Sequence, residues 1–182
     1  MPPTRRVRFE AHTAYTAPHG SRAAVVGVAE QWGGVPDAVA RMAESPELLT
    51  GFLRLSAAFD GVTLDPLARE TVVMTVATRN DCHVCVELHT AKLRRLGADA
   101  ESVAALRAGT GLRDERLEAL RDFTLRVLAT AGGVGDHELT AFLAQGFTRR
   151  NALEVVLGIG AYTMSTLANR LVRAENVQHP AG

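Results

Sequence analysis

From Ala23 onward the chain repeats one pattern: apolar residues recur three and four apart, and nearly every such stretch is opened by a capping residue or closed by a breaker. That spacing lines one face of a helix. No alternating stretch competes with it, so the expectation is an all-α fold. Ser45-Pro46 and Asp65-Pro66 each read as a cap followed by proline at the first helical position, and Gly97 reads as a C-terminal stop. Helices are predicted over 23–31, 36–43, 46–59, 65–78, 82–96, 99–108, 114–130, 136–145 and 148–174. Residues 1–22, rich in Arg, Thr, Pro and His and without a sustained period, are expected to form an extended arm, and 23–182 a single helical domain. A chain of 182 residues is long enough to bury a sizeable core.

Charge excludes two classes of partner. Twenty Lys and Arg balance twenty Asp and Glu, so no overall field draws the chain to nucleic acid or to an anionic membrane. No apolar stretch approaches the ~20 residues of a membrane span. Arg5-Arg6 precedes the apolar run Ala23 to Ala29, but polar residues, Pro18 and Gly20 intervene, so an export signal is not expected and cytoplasm is. Gly132-Gly133-Val134-Gly135 has neither a strand before it nor a lysine in the place a phosphate loop requires, and reads as a helix connection.

Chemistry concentrates in Asp81-Cys82-His83-Val84-Cys85-Val86-Glu87-Leu88-His89. The chain has only two cysteines, and two sulfurs three residues apart cannot staple distant segments, so the pair points to redox or metal chemistry in a reducing compartment. With Asp81 as cap, both would lie in the first turn of a helix, where unpaired amides and the dipole favour thiolate. Cys82, Cys85 and His89 fall at i, i+3 and i+7, along one face, with His89 one turn beyond Cys85 and placed to take its proton. Glu70 lies ~13 Å from the connecting turn along its helix and His89 ~11 Å along the next. Antiparallel packing across a short connection would bring them level, so that the carboxylate orients the imidazole.

At these residues the chain resembles the AhpD-like family, the alkylhydroperoxidase branch of the carboxymuconolactone decarboxylase superfamily. The family's pattern of Glu, eleven residues, Cys-x-x-Cys, three residues and His is filled by Glu70, Cys82, Cys85 and His89 without a gap. A looser likeness runs from Val35-Pro36 through Ser45-Pro46-Glu47-Leu48-Leu49 to Asn169-Arg170. The resemblance implies an AhpD-like helical bundle, a homo-oligomer (trimer or hexamer), and thiol-dependent reduction of small hydroperoxides with electrons from a thiol or protein reductant. It implies that Cys85 is the peroxidatic nucleophile, Cys82 the proton donor and resolving thiol, and His89 with Glu70 the proton relay, with no cofactor. One departure is visible: a much-studied type of member has histidine directly before the second cysteine, where this chain has Val84 and carries His83 instead.

Other readings remain beside this one. Cys82, Cys85 and His89, with Glu70 or His83 as a fourth ligand, would make a zinc module. A decarboxylase relative would need no cysteine, and a redox sensor would form the disulfide without turnover. Arg69-Glu70-Thr71-Val72-Val73-Met74 is echoed by Leu153-Glu154-Val155-Val156-Leu157, which suggests a duplicated helical hairpin whose second copy lacks the cysteines.

Overall fold

The structure, a computed structural model, describes residues 8–176; Arg5-Arg6 and the first seven residues of the expected arm lie outside them. The described residues form nine helices and no strand: α1 (His19–Trp32), α2 (Asp37–Met42), α3 (Pro46–Asp60), α4 (Pro66–Arg79), α5 (His83–Arg95), α6 (Ala100–Ala108), α7 (Glu115–Ala129), α8 (Asp136–Ala144) and α9 (Arg149–Leu171). The expected all-α class is the observed one. The largest difference in a start is at α1, which begins at His19 instead of residue 23.

The described residues divide into two compact units, one of residues 54–167 and one of residues 8–53 with 168–176. In the latter, Val25, Val28, Val39, Met42 and Leu49 form an apolar core. Arg41 donates to the Phe9 carbonyl at 2.6 Å and the His12 amide donates to the Ala40 carbonyl, tying this stretch of chain to α2.

In the other unit α4 is the centre. Every residue from Glu70 to Ala77 is buried, and α5, α6 and α7 pack on it, with α8 against α7. The Asp65 carboxylate caps its start by accepting from the Ala68 amide. The helix is rich in Val and Thr, which favour strands, so burial and not intrinsic propensity holds it helical. Its buried hydroxyls are satisfied within the helix: Thr71 donates to the Leu67 carbonyl and Thr75 to the Thr71 carbonyl. Met74, Leu93, Val103 and Leu106 join α4, α5 and α6 in one apolar cluster.

The first stretch of α9 approaches α3 through a glycine. A Cβ on Gly158 would stand 2.7 Å from the Phe59 ring and 3.1 Å from Val72 Cγ1, both residues being fully buried. Alanine would gain ~0.5–1 kcal/mol of helix preference but force an overpacking cost of ~1–3 kcal/mol. Gly158→Ala is therefore expected to lower the urea midpoint at unchanged m-value, and a raised midpoint would count against this packing.

Candidate functional site

The turn before the dithiol is built differently from the sequence expectation. Asp81 has a left-handed backbone, φ 53°, its amide donates to the Thr78 carbonyl, and the Cys82 amide reaches back to the Ala77 carbonyl. Those two bonds are a Schellman closure of α4, with Asp81 in the position glycine usually takes. Asp81 thus ends α4, and it is not the N-cap residue of α5. Cys82 itself occupies the N-cap of α5, in extended conformation, and Cys85 lies in the first turn; their residues are 2% and 4% exposed. The turn is anchored to α9, where Asn80 Nδ2 donates to Thr166 Oγ1 at 2.8 Å.

Down the same helix, Cys85 and His89 belong to the buried face, and the structure brings His89 to Glu70 on α4. His89 Nδ1 and Glu70 Oε2 are 2.6 Å apart, both side chains 6% exposed. Burial pushes the Glu70 carboxyl up, but the hydrogen bond and charge of His89 and the ammonium of Lys92 outweigh it, and the group is held below the usual carboxylate range. Glu70 is therefore the ionised acceptor and Nδ1–H the donor. In the neutral ring this puts the lone pair on Nε2, so Nε2 is the atom that takes or gives a proton.

Two further side chains complete the cluster. Lys92 Nζ donates to Glu70 Oε1 at 2.9 Å. Burial lowers the Lys92 ammonium's pKa, but the Glu70 charge and hydrogen bond more than offset this, leaving it above its ordinary value. Tyr162 of α9 sets its ring edge-on to the His89 imidazole, centroids 5.4 Å apart, and its hydroxyl lies 3.3 Å from Ser56 Oγ. Burial raises the Tyr162 phenol, so it stays protonated at neutral pH. Lys92 has a sequence signal: it is three residues beyond His89, on the neighbouring part of one helix face. Tyr162 has none: it is 4% exposed, and only the packing of α9 brings it to the imidazole.

The remaining candidates are set apart. His83 is exposed, 3.7 Å from Asp81 Oδ1. Among the described residues no group of three or more His, Cys, Asp or Glu is arranged to hold a metal ion, which is the geometry the zinc reading needs. Glu154, the counterpart of Glu70 in the sequence echo, has a different environment. It accepts from the Thr63 and Leu64 amides, the Thr63 hydroxyl and Asn151, which pins the segment leading into α4.

The comparisons with known proteins converge on one fold. Residues 43–114 match the model of the carboxymuconolactone decarboxylase family. A peroxidase-related protein from Ralstonia eutropha JMP134, described as an alkylhydroperoxidase AhpD core, superposes with a TM-score of 0.80 at 21% identity, over 93% of this chain and 92% of that one. A peroxidase-related protein from Silicibacter sp. TM1040 gives 0.76 at 19% identity, over 96% and 94%. The debrominase Bmp8 in complex with 2,3,4-tribromopyrrole gives 0.74 at 13% identity, over 93% and 91%. A comparison with curated proteins returns no match. Among the described residues no helix is long and apolar enough to cross a membrane.

Proposed function

We propose that the protein is a thiol peroxidase acting on small hydroperoxides, a reading that starts from the match of residues 43–114 to the carboxymuconolactone decarboxylase family model and from the AhpD-like fold. The Cys85 thiolate attacks a peroxide oxygen, the O–O bond breaks, and the departing alkoxide takes a proton from Cys82 to leave as the alcohol. Cys85 is then a sulfenic acid. The Cys82 thiolate attacks its sulfur, forming the Cys82–Cys85 disulfide and expelling hydroxide, which leaves as water once protonated. An external dithiol returns two electrons. His89 takes the Cys85 proton at Nε2, and Glu70 fixes the ring and stabilises the imidazolium.

The observation that carries this reading is the buried 2.6 Å bond between His89 and Glu70, on the helix face that also holds Cys85. Its test is a count of thiols before and after one equivalent of hydrogen peroxide or cumene hydroperoxide, with mass spectrometry of the bridged peptide. Loss of two thiols per peroxide and a Cys82–Cys85 bridge is expected. Persistent thiols with unconsumed peroxide would overturn the peroxidase assignment, and lactone decarboxylation that survives loss of both cysteines would replace it.

We further propose that the chain assembles as a homo-oligomer in a reducing cytoplasm. Leu153, Val156 and Leu167 are exposed, and together with Gly160 they fall within about 60° of arc on α9, an apolar stripe suited to a second copy. Sedimentation at micromolar concentration should give a multiple of the 19.5 kDa chain, trimer or hexamer; a single 19.5 kDa species would exclude it.

A further inference from the structure

Both oxygens of the Glu70 carboxylate are engaged, one by the base His89 and the other by a fixed cation. Oε2 accepts from His89 Nδ1, and Oε1 accepts from Lys92 Nζ, which extends from the next turn of α5. Glu70 and His89 are sealed at 6% side-chain exposure, whereas Lys92 is 37% exposed, so the cation is where this buried pair meets solvent.

Resting on the peroxidase reading, we propose that Lys92 is a positioning residue that restrains the relay: its charge cancels that of Glu70, weakens His89 as a base, and keeps Cys85 a thiol until a peroxide is engaged. With Lys92 present, Glu70 and Lys92 form a neutral pair, and a proton moving from Cys85 to His89 leaves an imidazolium whose only net counter-charge is the Cys85 thiolate made in the same step. Without Lys92 the same imidazolium faces an uncompensated carboxylate in a poorly solvated site, which favours it. The other groups around the pair do not supply this switch. Tyr162, packed on the imidazole from α9, is held in its neutral form by burial, and its hydroxyl lies against the Ser56 hydroxyl of α3. Asp60 of α3 acts on Lys92 only through charge and raises it further, so the cation persists at working pH.

The direction of the effect separates this role from a structural one. Loosening the cluster would disorient Glu70 and make Cys85 harder to ionise; removing a restraining charge makes it easier. In the intact protein, Lys92→Met is expected to lower the pH at which Cys85 reaches half its maximal iodoacetamide reactivity by ~1 unit, a tenfold gain in reactivity below that point. The His89 imidazole, followed by its ring proton resonances, should hold its proton to correspondingly higher pH. Lys92→Arg keeps the charge and should leave both curves as in the native protein. A half-reactive pH that rises or stays fixed in Lys92→Met, or an arginine variant that behaves like the methionine one, would overturn the proposal. Should the methionine variant fail to fold, Lys92→Gln carries the same expectation with a polar head. A native protein that leaves peroxide untouched while Lys92→Met still shifts the curve would sink the peroxidase reading alone.

Discussion

Replacing Cys85 by serine is expected to abolish peroxide turnover, by roughly 10³-fold or more, the scale on which loss of a covalent nucleophile is felt. Cys82→Ser should behave differently. It retains the attacking sulfur at Cys85, so one equivalent of peroxide should still be consumed per chain, leaving a sulfenic acid that dimedone traps. No bridge can follow, and turnover stops after that single event. The asymmetry rests on position: Cys85 is one helical turn from His89, whereas Cys82 stands at the N-cap, two turns away. Neither substitution should unfold the protein, since serine is close to cysteine in volume, although both sites are buried in one apolar cluster with Ala77 and a modest loss of stability is expected. Limited alkylation of the native protein at neutral pH should mark Cys85 first. Preferential labelling of Cys82, together with a sulfenic acid trapped there in Cys85→Ser, would exchange the two roles.

The second large effect belongs to Glu70. Glu70→Gln keeps the shape of the side chain but removes the charge that holds Nδ1–H and stabilises an imidazolium, and a ~10 to 100-fold loss of peroxide reduction at neutral pH is expected. The pH at which Cys85 becomes reactive should rise, opposite in sign to the Lys92→Met shift. In a His89→Ala background the same change should do little, because groups acting as one unit are not additive. If the two losses instead multiply fully in the double mutant, Glu70 has a role of its own and the relay is wrong. Stability gives an independent reading. Because the Glu70 carboxyl is held below its ordinary value of 4.5, its charged form stabilises the fold at pH above that value, and the contribution disappears as the pH falls through the lowered one. The gap in urea midpoint between native protein and Glu70→Gln should therefore be full at pH 6 to 7 and close in acid.

The sequence by itself determined the helices and the line of residues that chemistry can use. Apolar spacing and start signals such as Asp65-Pro66 are short-range, set by 3.6 residues per turn and by which residues can satisfy or end a helix, and the observed elements follow them closely. The level of Glu70 against His89 was legible for the same reason: rise per residue and a short antiparallel connection fix height along neighbouring helices. Rotation about those axes is another matter, because it depends on how whole helices pack. Only the tertiary structure decided that Tyr162 faces the imidazole and not the solvent, that Lys92 reaches the second carboxylate oxygen, and that Glu154 binds the Thr63–Leu64 amides while its counterpart Glu70 binds His89. The Asp81 cap was a local reading that failed because a second local demand fell on the same residue. Ending α4 and starting α5 compete for the same residue, and the left-handed closure onto Ala77 and Thr78 took Asp81, passing the helix start to Cys82.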